Sequence, residues 1–230
     1  MKFGVVIFPG SNCDEDVIYV LEHIMGQKVV RLWHKDHDLK GADFIILPGG
    51  FSFGDYLRSG AIARFSPVMQ EVIQFAGKGG HVLGICNGFQ ILAEAGLLPG
   101  ALLHNSTRKF ICKNIYLKTE TTNSLITSSL NPDKILKIPI AHGEGNYFAE
   151  ANTLKKLQDK DQILFRYCDN AGNISPDSNA NGSVINIAGI CNENRNVFGM
   201  MPHPERAADP ILGNQDGLGI FESILKTVNA

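Results

Sequence analysis

The chain has 230 residues, 44% of them hydrophobic, which is enough for one large α/β domain with a substantial core. Its 21 basic and 23 acidic side chains are scattered and give a formal net charge of −2, which argues against a nucleic-acid-binding or membrane-surface protein. The apolar run at 3–8 is too short for a signal sequence, and no later run reaches the length of a membrane span. We therefore expect a soluble, cytoplasmic protein.

The first half of the chain alternates apolar runs with helical patterns. Strands are predicted at 2–8, 28–32, 44–47 and 81–85, and helices at 12–25, at 67–78 and directly after Cys86. Asn12 and Glu15 are spaced as a capping box for the first helix. Such alternation indicates a parallel sheet covered on both faces, in which ligands bind beyond the carboxyl ends of the strands.

The second half has a different pattern. Strands are predicted at 110–117, 135–140, 163–167, 184–191 and 197–200, and helices at 151–159 and 217–228. The connections between these strands are short or irregular, which indicates a mixed or antiparallel portion of the sheet. The predicted architecture is a three-layer α/β/α fold with a mostly parallel central sheet and this additional portion.

Five cysteines occur, an odd number, widely spaced and without a C-x-x-C pair. The pattern predicts neither a disulfide framework nor a metal site, and we expect four of the five to be ordinary small apolar side chains. Cys86 differs because it stands where the strand at 81–85 breaks into a helix, with Gly84 and Gly88 on either side. This resembles a nucleophile elbow, in which a strained turn and a helix N-terminus favour the thiolate.

A nucleophilic cysteine needs a base and a group that orients the base. Among the seven histidines, His203 is the best candidate, since it follows the strand at 197–200 and lies between two stiffening prolines. In an extended segment, residues two apart point to the same side, so Glu205 can hold one ring nitrogen while the other faces Cys86. The roles of His104 and His142 stay open: His142 either lines the pocket or belongs to a structural turn.

The reaction also needs donors for an oxyanion. One candidate is the amide of Asn87, the residue after the nucleophile. A second is expected in the Gly-Gly-Phe segment after the strand at 44–47, where the amide of Phe51 or of Gly50 would be turned toward the site. The polar and aromatic stretch at 52–60 is typical of a binding loop.

Five segments carry a specific resemblance to a known family. GICNGFQ at 84–90 and PHPE at 202–205 resemble the class I glutamine amidotransferases. Within that class, FPGSNCD at 8–14, LPGGFSFGDYLRSGAIA at 47–63 and HGEG at 142–145 resemble the glutaminase subunits of phosphoribosylformylglycinamidine synthase. The resemblance extends over 1–230 and implies a single glutamine amidotransferase type 1 domain with a flavodoxin-like core.

The resemblance also implies a reaction and its partners. Cys86 would be the nucleophile, His203 the general base and acid, and Glu205 the orienting group of a triad that hydrolyses L-glutamine. Phe51 and Asn87 would form the oxyanion hole, and Gly50 and Gln90 would contact the substrate. A separate synthetase subunit would use ATP with Mg²⁺ in purine biosynthesis, and a small third subunit would bridge the two. No cofactor is implied for this chain.

The sequence departs from the pattern of that family at two places. Phe53 replaces a usual tyrosine, and Lys113-Asn114 replaces a usual arginine-tryptophan pair. Both flank the triad and concern the pocket edge and partner contacts.

Three other interpretations differ from this one. An amidotransferase subunit for another acceptor, in carbamoyl phosphate, anthranilate or guanylate synthesis, is disfavoured by the loop at 51–63. A stress-response or chaperone protein with a cysteine elbow would lack the Pro-His-Pro-Glu segment. A non-catalytic interaction subunit would lack a member of the triad.

Overall fold

The computed structural model describes residues 1–228, and its centre is a nine-stranded sheet accompanied by a separate two-stranded one. The strands are β1 (Lys2–Ile7), β2 (Lys28–Trp33), β3 (Phe44–Leu47), β4 (His81–Ile85), β5 (Ala101–Leu103), β6 (Ile111–Thr119), β7 (Leu136–His142), β8 (Asn146–Phe148), β9 (Ile163–Cys168), β10 (Ile187–Cys191) and β11 (Val197–Met200). The α-helices are α1 (Asp14–Tyr19), α2 (Pro67–Gly77), α3 (Asn87–Glu94), α4 (Ala151–Asp159) and α5 (Leu218–Val228).

The order of strands in the large sheet is β2-β1-β3-β4-β11-β10-β9-β6-β7. The first five are parallel neighbours, and every pairing from β11 to β7 is antiparallel. Only β10 and β6 run against the others, so the predicted mostly parallel sheet with an antiparallel portion is confirmed. Strands β3, β10 and β11 are buried along their whole length, because helices and loops cover both faces.

Most predicted elements are present, but three local predictions were wrong. The first helix is α-helical only to Tyr19 and continues as a π-helix over Val20–Ile24. Its N-cap is Cys13, without a side-chain cap, so the predicted capping box is absent. The strand predicted at 184–191 begins as a 3₁₀ turn over Val184–Asn186, because positive φ angles at its last two residues are incompatible with a strand. The short pair β5–β8 was not predicted.

The sheet places several loops at one edge. Because β3, β4, β7 and β11 run in the same direction, their carboxyl ends share an edge. There the chain carries Gly50 after β3, Cys86 after β4, His142 at the end of β7 and His203 after β11. Among residues 1–228, no helix has both the length and the apolar character that crossing a bilayer requires.

Candidate active site

Cys86 lies on a strained turn between β4 and α3. Its φ of 50° and ψ of −106° are rarely adopted by a residue with a side chain. The flanking glycines are sterically required: a Cβ on Gly88 would lie 1.9 Å from the carbonyl oxygen of Leu47, and one on Gly84 would lie 2.6 Å from the backbone of Gly88. The predicted elbow is therefore present. The side chain of Cys86 is almost buried, and its Sγ lies 3.8 Å from the carbonyl oxygen of Ala141.

His203 and Glu205 form a fully buried pair beside this turn. Nδ1 of His203 lies 2.6 Å from Oε1 of Glu205. The predicted pairing is present, but the extended segment expected to produce it is not. Pro204–Ala207 is a 3₁₀ helix with His203 as its N-cap, and this turn brings the carboxylate back to the ring.

The surroundings of His203 favour its protonated form. Burial alone would lower the pKa of the imidazole, but the Glu205 carboxylate and the nearby Cys86 and Cys13 thiols hold that pKa well above its ordinary value. Nε2 of His203 is buried, and no described residue lies at a distance and angle that would give it a hydrogen bond. That nitrogen is therefore free to exchange a proton with a reacting group.

Cys13 is a neighbour of the site that the sequence did not reveal. It was expected to be an ordinary apolar side chain, yet Arg206 donates a hydrogen bond of 3.1 Å to its Sγ. Ligand atoms of Cys13, His203 and Glu205 all lie within 4.8 Å of one another. The only signal in the sequence was its place in the 8–14 segment, after the first strand, at the same edge of the sheet.

A cavity of about 280 Å³ opens onto the nucleophile. Its lining includes Gly50, Phe51, Cys86 and Gln90, together with Asp55 and His142. A groove of similar size, about 300 Å³, lies beside α4, but neither a cysteine nor a histidine lines it. We therefore place the candidate active site at the Cys86 cavity.

Of the two predicted oxyanion donors, one is engaged elsewhere. The amide of Phe51 donates to the carbonyl oxygen of Gly10 at 3.0 Å, so in this conformation it does not face the site, and its place in the oxyanion hole stays a prediction. The amide of Asn87 is in the first turn of α3, where helix geometry provides no backbone acceptor. The helix N-terminus thus supplies one donor beside Cys86.

The predicted substrate contact Gln90 lies in the cavity wall, within a hydrogen-bond network. Its Oε1 accepts a bond of 2.9 Å from Nδ2 of Asn87, and its Nε2 donates to the carbonyl oxygen of Glu144. Asn87 Nδ2 also donates to Oδ1 of Asp55 at 3.1 Å. The network links the elbow to the binding loop and to the loop after β7.

His142, left open by the sequence, lines the cavity. Nδ1 of His142 lies 3.1 Å from Oδ1 of Asn105, which also accepts the amide hydrogen of Gly145. Burial, aided by the charge of His203, lowers the pKa of His142 to about 4. The ring is therefore neutral near pH 7, with its proton on Nδ1 and an acceptor lone pair on Nε2. His104, also open, pairs with Glu144 at 3.2 Å.

A family model described as the CobB/CobQ-like glutamine amidotransferase domain matches residues 1–217. The chain belongs to this family. This glutamine amidotransferase is 57% identical over 230 residues to a protein of Nostoc sp. named phosphoribosylformylglycinamidine synthase subunit PurQ, covering 100% of this chain and 99% of that protein. A Chlorobium luteolum protein of the same name is 56% identical, with 98% of each chain covered.

Solved structures agree with this placement. A chain in the structure of PurLQS from Thermotoga maritima superposes with a TM-score of 0.87 at 42% identity, covering 99% of this amidotransferase and 98% of that chain. Another Thermotoga maritima structure, described as a glutamine amidotransferase, has a TM-score of 0.63 at 14% identity, over 99% and 97% of the two chains. The second likeness supports the fold alone.

Proposed function

We propose that this chain is the glutaminase subunit of phosphoribosylformylglycinamidine synthase. It hydrolyses L-glutamine to glutamate and ammonia. A synthetase subunit then uses the ammonia and ATP with Mg²⁺ to convert formylglycinamide ribonucleotide to formylglycinamidine ribonucleotide, and a small subunit bridges the two. The observation that carries the proposal is the meeting of Cys86, His203 and Glu205 at one edge of the sheet. It occurs in a chain that is 57% identical, over its full length, to a protein named as that subunit.

In the first half-reaction, the thiolate of Cys86 attacks the carboxamide carbon of glutamine. The carbonyl oxygen takes the negative charge and accepts a hydrogen bond from the amide of Asn87. Protonated His203 gives its Nε2 proton to the departing nitrogen, ammonia leaves, and a thioester remains on Cys86. The Glu205 carboxylate holds the ring through Nδ1 and stabilises its charged form.

In the second half-reaction, neutral His203 removes a proton from water. The resulting hydroxide attacks the thioester carbon, and collapse of the tetrahedral intermediate breaks the C–S bond. The Cys86 thiolate is restored, His203 keeps the proton taken from water, and the product leaves as a carboxylic acid that loses its proton to solvent to give glutamate. Each cycle therefore consumes one water and returns both side chains to their starting state.

The second oxyanion donor requires a local change. The amide of Phe51 must leave the carbonyl oxygen of Gly10 before it can bind the oxyanion. We propose that docking of the synthetase causes this rotation, so that glutamine is hydrolysed rapidly only where ammonia is used. Gly50, with a φ of 134°, has the conformational freedom that such a rotation needs.

Replacement of the nucleophile tests the proposal. In the assembled enzyme, we expect Cys86→Ala to lower glutamine-dependent synthesis by about 10³-fold or more, while synthesis from added ammonium is unchanged. Cys112→Ala, at an exposed thiol, is the matched control and should leave both activities intact. Glutamine turnover that survives in Cys86→Ala would exclude this mechanism.

A further inference from the structure

Two carboxylates in the wall of the Cys86 cavity have no role in the thioester chemistry. Asp55 comes from the binding loop after β3, and Glu144 from the loop after β7. Both contact Ser59: its amide donates to Oε2 of Glu144 at 3.2 Å, and its hydroxyl bonds to Asp55. The same cavity thus brings together two negative charges from distant parts of the sequence.

The protein supplies little positive charge to this pair. Arg58, next to Ser59, is bonded to Glu94 at 2.6 and 2.7 Å. Arg58 also interacts with Glu144 electrostatically, but its guanidinium is held by Glu94. Another neighbour of Glu144 is His104 at the rim, whose Nδ1 lies 3.2 Å from Oε1 and whose side chain is 57% exposed. Burial first, and then the charge of Glu144, raise the pKa of Asp55 to about 6. Burial and the charge of Glu144 therefore destabilise the ionised form of Asp55, and a bound cation would relieve that cost.

A third acceptor lines the same cavity. Nε2 of His142 carries a lone pair, because the proton is on Nδ1, and within residues 1–228 it finds no hydrogen-bond partner. Only 3% of the surface of His142 is exposed. A buried acceptor left unpaired is costly, so this nitrogen indicates a ligand that donates hydrogen bonds.

From these contacts we propose that Asp55 and Glu144 bind the α-ammonium group of L-glutamine and make the site selective for amides that carry it. The inference rests on the proposed function, which supplies the substrate, and deepens it by assigning residues to recognition. A primary ammonium has three donors and one positive charge, which suits two carboxylates and a neutral imidazole acceptor. Buried polar groups left unpaired would also reject an analogue without the amine.

The test compares two amides that differ only in this group: L-glutamine and 4-carbamoylbutanoate, which lacks the α-amine. kcat/KM for each is measured in the assembled enzyme for the wild type, Asp55→Asn and Glu144→Gln. We expect each substitution to lower kcat/KM for L-glutamine about 10- to 100-fold, chiefly through KM, and to change the value for the analogue less than threefold. The preference for L-glutamine then falls by the same factor.

Glu193→Gln is the matched control, because it removes the same charge from an exposed side chain paired with Lys160 outside the cavity. It should keep the wild-type preference. The rate at which iodoacetamide alkylates Cys86 reports whether each variant keeps a folded site without using the α-amine. Asp55→Asn and Glu144→Gln lie on separate loops and keep the shape of the side chain. If one of them misfolds, the other still tests the inference.

The inference is overturned if a folded Asp55→Asn or Glu144→Gln keeps the wild-type ratio of the two kcat/KM values, or if both values fall in parallel. The proposed function fails by a different result, namely hydrolysis of either amide by Cys86→Ala. The substrate ratio and the Cys86→Ala rate are independent measurements, so the two failures are distinguishable.

Discussion

The protonation state of His142 connects a residue of the cavity to the stability of the fold. Burial lowers the pKa of His142 from 6.5 to about 4. The unfolded chain therefore binds a proton near pH 6.5, whereas the folded chain does so only near pH 4. The free energy of unfolding is fully retained above pH 6.5 and decreases as the pH falls through this window, by up to ~3 kcal/mol from this residue.

Urea denaturation at pH 7 and at pH 4.5 checks this expectation. The free energy of unfolding should fall less between the two pH values in His142→Asn than in the wild type. The difference between the two proteins should approach ~3 kcal/mol. His81, whose pKa burial also lowers, titrates in both proteins and cancels in the comparison. An equal loss in both proteins would show that His142 is not held neutral by the fold.

At the scale of elements, the turn between β4 and α3 depends on close backbone contact. We expect Gly88→Ala to destabilise the fold by about 3 kcal/mol or more and to abolish glutaminase activity, because its Cβ would lie 1.9 Å from the carbonyl oxygen of Leu47. Gly77→Ala in α2 is the control: apart from its chain neighbours and its own helix backbone, no described residue has a heavy atom within 4 Å of the added Cβ, so it should be neutral or stabilise by about 0.5–1 kcal/mol. Thermal unfolding measures both, and equal effects would contradict the packing argument.

The sequence predicted this element because its cause is local. Gly-x-Cys-x-Gly between an apolar run and a helical pattern is enough to specify the elbow. The contact between Glu205 and His203 was also predicted, but with an extended backbone conformation, because two prolines were interpreted as keeping the segment extended. In the structure, Pro204 is instead the first residue of a 3₁₀ turn, a position that suits its fixed φ equally well.

At the scale of the whole molecule, the site depends on contacts between distant segments. Cys13 and Arg206 meet although they are 193 positions apart in the sequence, and Asp55 and Glu144 meet through Ser59. Such contacts follow from β11 inserting beside β4 and from β7 ending at the same edge of the sheet. Local patterns do not encode strand order, so the sequence predicted the triad but not these neighbours.

The engaged amide of Phe51 leads to a prediction for the assembled enzyme. Because one oxyanion donor is bonded to Gly10, we expect slow glutamine hydrolysis by the isolated chain and a stimulation of about 10²- to 10³-fold when the synthetase and bridging subunit are added. Glutamate release, measured with and without the partners, checks this. A rate that the partners leave unchanged would mean that the conformation in which Phe51 bonds to Gly10 is already the active one.

The most direct test of the central claim is mass spectrometry of enzyme quenched in acid during turnover of L-glutamine. We expect a γ-glutamyl thioester on the peptide that contains Cys86, formed within the first turnover and lost when the peptide is treated with hydroxylamine. Turnover at the full rate with no acyl group on Cys86, or with the acyl group on Cys13, would contradict it.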